Sequence, residues 1–125
     1  MLDFILVGVG GFIGAIVRFI VSNSFGTRYN SKFPYGTLFI NITGSFILGL
    51  FLGVAAHSIF SLELYRWFIA VGFCGGYTTF STFTYETWLL LEKGKNVSAL
   101  LGNLLGSYLL GLLVAILGYS LGNLF

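Results

Sequence analysis

The chain has 125 residues, 57% hydrophobic and only 8% charged, with a formal net charge of +2 and a mean hydropathy of +0.96. A soluble domain carries about 25% charged residues, so this chain cannot present an aqueous surface of normal polarity. The small charge leaves no footprint for nucleic acid, and the single cysteine, Cys74, excludes an intramolecular disulfide.

A membrane span needs roughly 20 apolar residues. The first candidate covers about residues 4–22. It carries Asp3 instead of a basic leader region and runs past the length of a leader's apolar core, so it reads as a retained span. Arg28, Tyr29, Asn30, Ser31, Lys32 and Pro34 form a polar connection. The second candidate covers about 36–56, and residues 57–63 make the next turn. The third runs over 66–92, with an expected break at 74–79, where the Gly75–Gly76 pair invites an interruption. Residues 92–96 (EKGKN) form a charged hairpin before the fourth candidate at about 98–121. The expected fold is therefore an all-α membrane protein, one domain of four transmembrane helices with the third broken.

Glycines recur four apart at Gly10 and Gly14, Gly49 and Gly53, Gly102 and Gly106, and Gly118 and Gly122. Small residues at that spacing let helix backbones approach closely. Four short helices make a thin bundle, and a homo-oligomer is the simplest way to enclose a path. Four spans put both termini on one side. That side carries Arg66 alone, against Arg28, Lys32, Lys93 and Lys95 opposite, which places the termini outside by the positive-inside rule.

The chemistry concentrates in the third span. Seven hydroxyl side chains lie between Thr78 and Thr87, with Phe80 and Phe83 three apart and one carboxylate, Glu86. Lipid tolerates such a run only inside protein or along a water-filled path. Phenylalanine ring edges are electropositive and hydroxyls donate, so the pair reads either as packing or as an anion contact. A break at Gly75–Gly76 reads either as a filled kink or as a source of carbonyls for a cation. Asn41, mid-span with Thr37 and Ser45 at i±4, reads as an interhelical hydrogen bond or as a pore amide. Arg18 either snorkels or draws anions to a mouth. Asn103 and Ser107, four apart, extend a polar track on the fourth span, with Tyr108 beside them. Metal-ligand clusters, phosphate loops and catalytic-triad spacings are missing, so an enzyme is not expected.

Three segments, GGFIGAIVRF (10–19), GTLFINITGSFILG (36–49) and GFCGGYTTFSTFTYE (72–86), resemble the Fluc/CrcB fluoride channel family, in the family's order and over the full length. The resemblance implies a dual-topology, antiparallel homodimer in the cytoplasmic membrane of a microbe. Each of its two pores would pass fluoride passively outward and so lower intracellular fluoride. By resemblance, Phe80 and Phe83 present ring edges to fluoride, Asn41 is the pore amide, and Ser81 and Thr82 belong to a hydroxyl track. Thr37 and Ser107 complete the expected pore set. Gly75 and Thr78 fall where backbone carbonyls hold a structural Na+ at the dimer centre. Arg18 matches the vestibule arginine of a Gly-x-x-x-Arg motif, and Glu86 matches the acidic position. The four-to-one charge count sits awkwardly with dual topology. The rival expectations are a small proton-coupled multidrug exporter centred on Glu86, and a non-transporting membrane scaffold.

Overall fold

A computed structural model describes residues 1–28, 33–57, 63–92 and 97–125. The polar connection at 29–32, the turn at 58–62 and the hairpin at 93–96 lie outside the described residues. Among the described residues the chain is helical, with no strand. Helix α1 is Leu2–Arg28 and α2 is Tyr35–His57. Pro34 opens α2, its carbonyl accepting the Leu38 N–H at 3.1 Å. An uninterrupted helical stretch, α3, follows over residues 63–77. Its middle, Arg66–Phe73, is wound more widely than an α-helix, and Cys74 N–H reaches back five residues to the Ile69 carbonyl. Helix α4 is Phe80–Glu92 and α5 is Val97–Gly122.

Three of these helices have stretches long and apolar enough to cross a membrane: Leu2–Phe25, Tyr35–Ala56 and Val97–Gly122. The first, at 1.5 Å per residue, is about 36 Å long, against a hydrocarbon core of about 30 Å. Helices α3 and α4 fit a fourth crossing made in two pieces. The core is thin, and Ile40, Cys74 and Tyr77 are the buried apolar residues among those described. Large apolar side chains such as Phe12, Phe19, Leu113 and Leu117 point outward, as they do in a protein whose solvent is lipid or another apolar surface.

Two dry crossings hold the bundle. Helix α1 packs along α3, and α2 packs along α5. A Cβ on Gly10 would run into the Phe68 carbonyl, and one on Gly14 into the Phe73 carbonyl. In the second crossing Gly49 and Gly53 face the Ala115 and Tyr119 carbonyls, while Gly118 and Gly122 face those of Phe46 and Leu50. Three of the four glycine pairs are thus sites of backbone contact. Gly102 and Gly106 are not: the first meets only the Phe33 ring, at 3.5 Å, and the second meets nothing within 4 Å.

Candidate pore groove at the helix break

The break falls inside the expected 74–79 stretch, but at its end, three residues past the Gly75–Gly76 pair. Residues Cys74–Tyr77 are helical, and Thr78 leaves the helix with φ −74° and ψ 159°. Gly76 is small for a packing reason, since a Cβ there would strike the Gly11 carbonyl of α1. The break lies at Thr78–Thr79, and α2 fixes it. Thr79 N–H donates to Asn41 Oδ1 at 2.9 Å, and Asn41 Nδ2 donates to the Thr79 carbonyl at 3.0 Å. One amide side chain thereby satisfies both backbone groups of a residue that has left the helix. Gly44, one turn along α2, faces the Thr78 methyl, and the Tyr77 hydroxyl meets Thr43 Oγ1 at 2.8 Å.

Thr79 also starts α4. Its Oγ1 accepts the Thr82 N–H at 3.2 Å, the geometry of an N-cap, and donates to Thr82 Oγ1 at 3.0 Å. Ser81 Oγ lies 3.3 Å from the same oxygen. The last carbonyls of α3, Gly75 and Gly76 among them, and that of Thr78 lose their helical donors as a result. The Thr79 amide that would close on Gly75 goes to Asn41, and the Thr82 amide that would close on Thr78 goes to Thr79 Oγ1. Arg18 Nη1 donates to the Thr78 carbonyl at 3.1 Å, placing a guanidinium at the negative end of α3. A carbonyl has two lone pairs, so Thr78 keeps one for another donor or a cation. Oxygen donors of this kind suit a hard cation, though the neighbouring guanidinium opposes one.

On the other side of the break, the N-terminus of α4 meets an open groove of about 310 Å³. Asn41, Thr78, Thr79, Phe80, Phe83 and Ser107 line it, with Leu104 and Tyr108 along its flank. The two phenylalanine rings are tilted by 37° with centroids 6.1 Å apart. Phe80 is 79% exposed and Phe83 is half-buried, so the groove has a wall on one side only. Two phenylalanine rings, the N-terminus of a helix, an amide side chain and hydroxyl-bearing residues line it, with no carboxylate among the lining residues. That set attracts a small anion.

The model for CrcB-like proteins, described as Camphor Resistance (CrcB), matches residues 5–119. The chain belongs to the CrcB family. Similar proteins include one from Nitrobacter winogradskyi named fluoride-specific ion channel FluC, 44% identical over 112 residues, which are 90% of this chain and 84% of that relative. A fluoride-specific ion channel FluC 2 from Bacillus cereus is 44% identical over 124 residues, 99% of this chain and all of the relative. One of the same name from Clostridium acetobutylicum is 42% identical over 123 residues, covering 98% of this chain and 96% of the relative.

Set against the residues expected at a CrcB pore, the groove gathers Asn41, Phe80, Phe83 and Ser107. Ser81 and Thr82 sit at the start of α4 and bond to Thr79 instead of lining the groove. Thr37, 6% exposed, lies apart and donates to Glu86 Oε1 at 2.9 Å, tying the expected acidic position to α2. Arg18, expected at a vestibule, is half-buried with its guanidinium on the break. The sequence places Thr79 on one side of the third span with Thr82, Phe83 and Glu86 but gives it no role of its own, and the structure makes it the hub of the region. Within the run, one hydroxyl among seven has no mark that singles it out as a cap. Thr87 was missed for the same reason, and it bonds both Asn103 and the Phe83 carbonyl.

Proposed function

We propose that the chain forms a fluoride-selective channel in the cytoplasmic membrane and lets accumulated fluoride leave down its gradient. The carrying observation is the groove at the N-terminus of α4, where Phe80, Phe83, Asn41 and Ser107 converge without an acidic lining residue. The relatives named as fluoride-specific ion channels support the choice of anion. Fluoride is small and strongly hydrated. A narrow path must replace its water with N–H and O–H donors and ring edges, which chloride is too large to approach in the same way. No proton coupling or hydrolysis is needed.

The one-sided groove and the exposed Phe80 support a second copy as the missing wall. We read the assembly as an antiparallel homodimer with two pores, each using side chains from both copies. The charges that bias orientation, Arg28, Lys32, Lys93 and Lys95, are few enough for both insertions. Gly75 and Thr78 carbonyls would hold a structural Na+ between the copies, neutralising the carbonyl ends of the two α3 helices. Loss of their helical donors, which Gly76 and Tyr77 share, leaves these carbonyls able to take the role, and the Arg18 guanidinium weakens it.

The exporter reading has less support. Glu86 is not among the groove residues and its Oε1 is engaged by Thr37. The test is efflux from liposomes carrying the purified protein, read with a fluoride electrode and with chloride as the control anion. Voltage-driven fluoride release without chloride leak is expected. Phe80→Ile and Phe83→Ile proteins that keep full fluoride flux would remove the assigned role of the rings. Proton-driven organic-cation uptake lost in Glu86→Gln would replace the channel with the exporter.

A further inference from the structure

Both phenylalanines of the groove carry a threonine one turn along α4. Thr84 Oγ1 donates to the Phe80 carbonyl at 2.8 Å, and Thr87 Oγ1 donates to the Phe83 carbonyl at 2.7 Å. Such back-bonding shifts the local helix and aims the turn that carries the ring. The two threonines differ in what holds them. Thr84 is exposed. Thr87 is half-buried and accepts Asn103 Nδ2–H from α5 at 3.0 Å. Asn103 is 0% exposed, and with Ile40 it is one of the largest fully buried side chains among the described residues.

We infer that Asn103 is a positioning residue of the pore, fixing Phe83 against Ser107 through the Thr87 hydroxyl. With its proton committed to the Phe83 carbonyl, Thr87 Oγ1 can only accept from α5, and Asn103 supplies the one donor given to it. The two bonds run in the same direction and polarise each other. Ser107, which lines the groove, follows Asn103 by one turn of α5. The link therefore sets the Phe83 turn of α4 against the turn of α5 that carries Ser107. It matters because α5 packs chiefly on α2 and meets α4 over a shorter stretch. Phe80, on the exposed side, has no such tether. This inference rests on the pore reading, and its test includes an arm that does not use flux.

The flux arm compares Asn103→Ala, Thr87→Val, Thr87→Ser, Thr84→Val and the Asn103→Ala/Thr87→Val double variant in the liposome assay. Asn103→Ala and Thr87→Val should each lower fluoride flux by about three- to tenfold, the span from an average interhelical bond in a bilayer to a strong one. The double variant should be no worse than either single, because one chain is cut in both. Thr87→Ser keeps the hydroxyl and should stay within about twofold of the parent, as should Thr84→Val. The spectroscopic arm places 4-fluorophenylalanine at position 83 and reads its 19F resonance in detergent. A single resonance in the parent should move or split in Asn103→Ala and in Thr87→Val, but not in Thr84→Val.

Additive losses, or a position-83 resonance unchanged in Thr87→Val, would overturn the inference. If Asn103→Ala does not fold, the Thr87→Val and Thr87→Ser pair decides alone, since they differ at a hydroxyl that the inference requires. A parent protein that passes no fluoride sinks the channel reading, while the 19F arm still decides whether Asn103 positions Phe83.

Discussion

The two halves of the bundle are held by opposite kinds of contact. Where α1 crosses α3, and α2 crosses α5, glycines let backbones touch. At the break between α3 and α4, side chains from α1 and α2 reach backbone groups directly: Arg18 the Thr78 carbonyl, Asn41 both polar groups of Thr79. The first kind fixes distance between rods. The second fixes the conformation of a segment that has ceased to be a rod. In lipid no water can take over an unmade backbone bond, so irregular chain survives only where another helix supplies the partner. The break and the close crossings are linked, because glycine contacts bring α1 and α2 near enough for Arg18 and Asn41 to reach it.

The strongest way to break this comparison is at the dry crossings. In Gly14→Leu the new side chain would enter the Phe73 carbonyl and the Tyr77 amide, which are backbone and cannot rotate away. Overpacking of a well-fitted site costs about 1–3 kcal/mol or more, and here it pushes α1 off the helix that carries the break. The expected result is loss of monodisperse protein in size-exclusion chromatography after extraction. A normally eluting Gly14→Leu protein would mean that the α1–α3 contact does not hold the bundle.

Next comes the break itself. Asn41→Leu keeps the size of the side chain and leaves Thr79 N–H and C=O without their partners. At about 1–3 kcal/mol for each unsatisfied group, fluoride efflux should fall by about 100-fold while the protein still elutes normally. Equal flux in Asn41→Leu would show that the break needs no tether from α2, and the contrast between the two regions would lose its meaning.

The sequence reveals the two regions unequally, and for a physical reason. Helices α1, α2 and α5 are legible because span length is a property of consecutive residues. Three glycine pairs are legible because contact spacing repeats every four. The break is legible as a stretch, 74–79, but the residue at which the helix ends is not. Gly75–Gly76 looks like the weak point from composition, yet Gly76 is needed for its small size against Gly11, and the helix runs through both. What ends the helix is Asn41, 38 residues away in the chain, competing for the Thr79 amide. The groove residues are legible as types, phenylalanine, amide and hydroxyl, because chemistry belongs to single residues. Which hydroxyl caps, which back-bonds and which faces the groove depends on partners in other helices.

A smaller effect is expected at Thr37, which ties α2 to Glu86 outside the groove at 2.9 Å. Thr37→Val removes one hydrogen bond of the strength typical between membrane helices, about 0.6 kcal/mol, and should lower fluoride flux by no more than about threefold. Thr37→Ser should restore it. A loss as large as that of Asn41→Leu would place Glu86 and Thr37 on the ion's route and would move the limiting contact away from the phenylalanine pair.

The smallest effect sharpens the comparison by testing spacing without contact. Gly102 and Gly106 repeat the four-residue interval of the packing pairs, but a Cβ on Gly106 meets nothing within 4 Å in the protomer. Replacing glycine with alanine inside a helix gains about 0.5–1 kcal/mol from propensity alone. Gly106→Ala should therefore leave the thermal unfolding temperature unchanged or slightly raised, whereas Gly118→Ala, facing the Phe46 carbonyl and the Leu50 amide, should lower it. A Gly106→Ala protein that unfolds as early as Gly118→Ala would have an easily identified cause. Nothing in its own protomer presses on that position, so the contact would have to come from a second copy lying against α5, beside Ser107 and the open side of the groove.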